Sequence, residues 1–162
     1  MKKFTLIAIA LVLIASLFIS ASQSTVLAQD LQLQELAPIE LLGKAVFFDE
    51  HLSANGMQSC ATCHAAEVGY TGPDATVNLG GAVYQGALPN HFGNRKPPAS
   101  AYVGDSPVLL KTADGWFGGM FWDGRATGAT LGDPLAEQAQ GPFLNPLEQA
   151  ITNAQVLCDR VK

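Results

Sequence analysis

Cys60-Ala61-Thr62-Cys63-His64 is the feature that constrains this chain most. Two thiols separated by two residues face the same way on one helical turn, and a histidine follows at once. That spacing suits addition of both sulfurs to the two vinyl groups of a haem. The adjacent imidazole is then carried under the porphyrin plane, where it serves as the proximal iron ligand. A thioredoxin-like dithiol needs a preceding strand and no histidine. A zinc site needs a second close Cys/His pair, which the sequence does not offer. The motif therefore predicts one covalent haem c on Cys60 and Cys63, with His64 on the iron.

The front of the chain agrees with that chemistry, because c-type haem is attached outside the cytoplasm. Lys2 and Lys3 precede an uncharged run from Phe4 to about Ile19 and then a small, polar stretch. This is the layout of a secretory signal peptide. Val26-Leu27-Ala28 is the expected cleavage site, giving residues 1–28 as signal peptide and 29–162 as haem domain. An uncleaved anchor is the alternative, since the run approaches the span of a thin bilayer. With cleavage no stable membrane anchor is expected. Residues 29–162 carry 7 basic and 14 acidic side chains. That acidic balance argues against nucleic-acid or anionic-membrane partners.

Local patterns predict a mostly α, cytochrome c-like haem domain with long irregular connections. Leu36, Ile39, Leu42 and Val46 recur at helical spacing, with the start near Pro38. Asp49 to Gly56 should turn the chain, and the haem motif should sit on a short helix. From Gly69 to Gly119 the sequence is rich in Gly and Pro, and little regular structure is expected there. Asp133-Pro134 reads as N-cap and first helical residue. Asn145-Pro146-Leu147-Glu148 reads as the start of a terminal helix whose stripe of Leu147, Ala150, Ile151, Ala154, Leu157 and Val161 would bury Cys158 as a free thiol.

Four further blocks accompany the motif. Leu42-Gly43-Lys44-Ala45-Val46-Phe47-Phe48-Asp49 and Leu52-Ser53-Ala54-Asn55-Gly56 precede it. Phe121-Trp122-Asp123-Gly124-Arg125 follows, and then Glu137-Gln138-Ala139-Gln140-Gly141-Pro142 with Glu148. In this order they resemble the N-terminal, peroxidatic domain of the bacterial di-haem cytochrome c peroxidases and their MauG-like relatives. The resemblance implies reduction of hydrogen peroxide in the periplasm, with electrons from a small cytochrome c or copper protein. It also implies a partner C-terminal haem domain. No second Cys-x-x-Cys-His is present, and the sequence stops at Lys162 inside an apolar helical pattern. A piece of a longer di-haem protein is therefore expected.

The resemblance assigns roles to particular residues. Glu148, seven residues beyond Gly141, falls at the family's catalytic carboxylate, which moves a proton between the peroxide oxygens. By its own spacing, three residues after Asn145, it also fits a helix capping box. Trp122 matches an electron-relaying tryptophan between the two haems; for this chain alone, packing beside the porphyrin is the simpler reading. Gln138 and Pro142 match distal-pocket positions. Arg125 should pair with Asp123 or a haem propionate. His91 is a candidate second axial ligand, although it precedes Arg95 by fewer residues than the family pattern has. Met120, 56 residues past His64, is the alternative, as in many single-haem cytochromes. Lys96 stands where the family often has an asparagine that supplies oxygen to calcium. An ammonium cannot do that, so calcium is doubtful. Two other functions remain open: a mono-haem electron carrier with His64 and Met120 as ligands, and a MauG-like di-haem enzyme that oxidises a protein.

Overall fold

In the computed structural model, which describes residues 35–162, the first helix begins where the proline predicts: α1 spans Pro38–Phe48. Its fixed φ and missing N–H suit proline to a helix start. The apolar stripe of α1 is helical but not buried, and Ile39 stays 73% exposed. A short 3-10 turn, Glu50–Leu52, follows with Asp49 as N-cap, and Leu52 is fully buried. The haem motif forms α2, Cys60–Cys63. Thr62, one of the two spacer residues, locks this turn, since its Oγ1 accepts from the Ser59 N–H at 3.0 Å. A second 3-10 turn spans Ala66–Val68.

The Gly/Pro-rich stretch carries more order than its composition suggests. It contains α3, Ala75–Leu79, capped by the Asp74 carboxylate, which accepts from the Val77 N–H. It also contains a hairpin of β1, Leu110–Thr112, and β2, Gly115–Phe117, antiparallel with Leu110 opposite Phe117 and Thr112 opposite Gly115. All six hairpin residues are exposed. Helix therefore dominates the regular structure, but most of the chain between α3 and the next helix runs as turns and isolated bridges.

Helix α4 spans Pro134–Leu144 and starts as read, with Asp133 accepting from the Leu135 and Ala136 N–H groups. Its far end overturns the reading of Asn145-Pro146 as a new helix start. Asn145 is instead the C-cap of α4. The carbonyls of Pro142 and Phe143, left without helical partners, accept from the N–H groups of Gln149 and Ile151 at 3.1 and 2.8 Å. The chain therefore doubles back on α4, with Ala150 at φ +56°. The terminal helix α5 begins only at Ala154 and runs to Val161, with Asn153 as N-cap. The stripe that would have buried Cys158 is thus split between a turn and a helix, and Cys158 is exposed. Ile151, in the turn, is buried instead.

Residues 38–162 form one unit around a small apolar centre of Leu52, Ala65, Ala82, Ala87, Ala126, Phe143 and Ile151. Arg160 of α5 donates to the carbonyls of His51 and Ser53 at 2.8 and 2.6 Å, which latches the last helix onto the turn ahead of the motif. The signal peptide and its cleavage site lie outside the described residues. No helix among the described residues is long and apolar enough to cross a membrane.

Candidate haem site

Both motif thiols are free and half-buried, at the two ends of a single helical turn. Burial pushes both thiol pKa values up, that of Cys63 to about 11, and the Glu148 charge adds to the effect. The thiols are therefore neutral and unpaired. His64 Nδ1 lies 3.2 Å from the Tyr70 carbonyl oxygen. A carbonyl can only accept, so Nδ1 carries the proton and the Nε2 lone pair is left for a metal. The Tyr70 carbonyl is itself held, by the Ser100 N–H at 3.0 Å, and Tyr70 sits at φ +59°. Two adjacent thiols and one oriented imidazole are the donor set that haem c needs. The residues present fit the group. Among the described residues no cluster of three or more His, Cys, Asp or Glu side chains offers a different metal site.

Glu148 is brought to this motif. Burial raises its pKa, opposed by a hydrogen bond from Asn145 Nδ2 at 2.7 Å and by the charges of His64 and Arg125. Its own charge in turn raises both motif thiols. The capping-box reading fails in its detail, because no helix starts at Asn145. Asn145 instead folds back over the turn through its side chain, accepting from the Leu147 N–H and donating to Glu148. The Glu148 main chain is tied down as well, its carbonyl accepting from Ala87 N–H at 2.7 Å.

Gln138 and Pro142 share α4 and are both half-buried. Pro142 has no N–H to offer the Gln138 carbonyl one turn back. Glu137, which the sequence reading left without a role, clamps the loop ahead of α4. Its carboxylate accepts from the Gly128, Thr130 and Leu131 N–H groups at 2.7, 2.7 and 3.0 Å. The bond from Leu131, with those from Gly128 and Thr130, holds its pKa below the usual range.

Trp122 is 64% exposed and donates its indole N–H to the Lys96 carbonyl at 3.0 Å. Arg125 pairs with Asp123 at 2.8 Å, as read, and stacks over Phe121 at 3.7 Å from the ring centre. Asp123 also receives Arg95 at 3.1 Å. The tryptophan block is thereby stitched to the Arg95-Lys96 segment. A cleft of about 330 Å³ opens beside it, lined by Phe121, Arg125, Leu131, Glu137 and Gln140 among others.

The two candidate sixth ligands are placed differently. His91 is exposed, on a turn closed by Gly86 N–H to His91 carbonyl at 2.7 Å, with its Nδ1 3.0 Å from the Pro89 carbonyl. Met120 is half-buried in a backbone bridge to Ala126. Tyr70 and Glu137, to which the sequence assigns no role, act through a backbone carbonyl and through short polar bonds. Only Glu137 leaves a trace in the sequence, as an acidic residue in the first turn of a helix.

Comparison with known proteins gives consistent relatives. The family model for di-haem cytochrome c peroxidase matches residues 37–162. The chain is 38% identical over 122 residues to the methylamine utilization protein MauG of Paracoccus denitrificans, covering 75% of this chain and 30% of that protein. It is 34% identical over 119 residues to the cytochrome c551 peroxidase of Nitrosomonas europaea, covering 74% of this chain and 28% of that protein. The crystal structure of the diheme peroxidase BthA from Burkholderia thailandensis matches with a TM-score of 0.66 at 35% identity, over 77% of this chain and 30% of that one. The chain thus spans less than a third of the length of these relatives.

Proposed function

The chain belongs to the di-haem cytochrome c peroxidase family, and from that premise we propose that it forms the peroxidatic haem unit of a longer periplasmic enzyme. That enzyme would reduce hydrogen peroxide with electrons from a small cytochrome c or copper protein. In this reading residues 1–28 direct export, and residues 29–162 hold one haem c beside a partner haem domain. Haem c supplies the redox-active iron at which peroxide is reduced. Cys60 and Cys63 hold it through thioether bonds, and His64 presents Nε2 from an imidazole that Tyr70 keeps in one tautomer.

The observation that carries the reading is the carboxylate of Glu148. It is half-buried, held by the Asn145 amide at 2.7 Å, and its charge acts on both motif thiols. A carboxylate whose pKa burial has raised holds a proton more readily than an exposed one and can pass it on. Gln138 and Pro142 would form the wall of the same pocket. Trp122, held by Lys96 at the surface, would pass electrons toward the partner domain. His91 would be the displaceable sixth ligand and Met120 the alternative.

Glu148→Gln in the haem-loaded chain tests this directly. The absorption spectrum of attached haem should be unchanged, and the single-turnover reaction with peroxide should slow by about 10²–10⁴-fold. An unchanged rate would remove Glu148 from the chemistry. A His/Met spectrum in the wild-type chain, lost in Met120→Ala, together with no reaction with peroxide, would replace the reading with that of an electron carrier.

A further inference from the structure

Two glutamines lie almost wholly inside the protein with polar atoms that no protein group meets. Gln149 is 3% exposed, and both its Nε2 and its Oε1 lack a partner; Gln58 is 6% exposed, and its Oε1 lacks one. A buried, unbonded amide is costly, and such groups in native proteins are generally satisfied.

The two side chains belong to one seam. Gln58 stands two residues before Cys60, and its Nε2 donates to the Gln85 carbonyl at 3.0 Å. Its backbone N–H donates to Ser53 Oγ at 3.1 Å. Gln149 follows Glu148, and its carbonyl accepts from the next residue of the same turn, Ala54, at 2.8 Å. Ala87, two residues after Gln85, donates to the Glu148 carbonyl. The segment leading into the haem motif, the Gln85–Ala87 segment and the Glu148 turn therefore meet beside these two glutamines.

The unmet atoms define what would satisfy them. Two oxygens need donors and one NH₂ needs an acceptor. A cation or an anion meets only one of those demands. Water, which donates two hydrogens and also accepts, meets both, and buried waters typically make about three hydrogen bonds to such groups. We propose that Gln58 and Gln149 form an internal water site that braces the haem-attachment segment against the Glu148 turn. The site is a positioning device, and it stands whether or not Glu148 carries a proton in catalysis.

The test uses the full haem-loaded chain. NMR of the wild type should show water-to-amide cross-relaxation at the Gln149 Nε2 protons. Cross-peaks between the two glutamine side chains with no water contact would overturn the proposal, because the amides would then satisfy each other. Stability gives a second, independent sign. If the Gln149 amide were truly unbonded, Gln149→Leu would raise the urea midpoint, which would overturn the proposal. If water is bound, Gln149→Leu lowers it, and the same substitution costs less in a Gln58→Leu background because both disrupt one site.

Discussion

Gly86→Ala is the substitution that would show most clearly how the carboxylate is held. A Cβ at Gly86 would collide with the Leu147 carbonyl oxygen and come within 2.7 Å of that of Glu148. Both obstacles are backbone, so no flexible side chain can swing away. Restoring even a close contact of 3.4 Å to the Glu148 carbonyl alone requires the two segments to part by about 0.7 Å, and relieving the collision with the Leu147 oxygen requires more, so the 2.7 Å bond from Ala87 N–H to the Glu148 carbonyl would stretch or break. Overpacking of this kind costs about 1–3 kcal/mol and the lost hydrogen bond about 1 kcal/mol more. The reduced freedom of the unfolded chain returns about 0.4–1 kcal/mol. A net loss of about 1–3 kcal/mol is expected in urea unfolding of the haem-loaded chain. Turnover should fall on the order of 10-fold or more, because displacing a catalytic group by a large fraction of an ångström is costly. Gly43→Ala is the internal control: its Cβ meets nothing within 4 Å in α1, and it should stabilise by about 0.5–1 kcal/mol. If Gly86→Ala matches the wild type in both stability and peroxide reaction, the close approach does not position Glu148.

Other substitutions probe separate parts of the site. Asp133→Ala removes the bonds to the Leu135 and Ala136 N–H groups and should cost about 1 kcal/mol in chemical unfolding. Glu137→Ala should speed hydrogen exchange at the Gly128, Thr130 and Leu131 amides while leaving haem attachment intact; unchanged exchange would show that the loop holds itself. The Glu137 pKa is lowered, so its stabilising contribution is present above the unfolded-state pKa and fades as pH falls through the folded-state value. Glu148 behaves in the opposite way. Its pKa is raised by burial, so stability is fully present below the unfolded-state pKa and is lost as pH rises through the folded-state value. Glu148→Gln should therefore match the wild type in acid and exceed it at neutral pH; a deficit at neutral pH would contradict the burial argument.

What could be read from the sequence was what short-range chemistry decides. Pro38 and the Asp133-Pro134 pair mark helix starts because a missing N–H and a capping carboxylate act within one turn. The motif's four residues from Cys60 to Cys63 make one helical turn for the same reason. The Asn145-Pro146 signal failed because it competes with a longer-range demand: the free carbonyls at the end of α4 recruit the N–H groups of Gln149 and Ile151. That one exchange moved the terminal helix to Ala154 and left Cys158 in solvent. Glu148 is assigned by the spacing of a family block, whereas its contacts with Asn145 and Ala87 exist only once α4 and the Gln85–Phe92 bridge have come together.

The acceptor that orients His64 is a main-chain carbonyl at Tyr70, shared with the Ser100 N–H. A main-chain atom is not supplied by the side chain, so it is the backbone at position 70, not the phenol, that sets the tautomer of the imidazole. What selection must preserve there is a conformation, the left-handed φ of +59°, and a glycine or asparagine would hold it as well as a tyrosine does. The electronic setting of the His64 imidazole is thus written in the path of the chain, where a comparison of side chains does not register it.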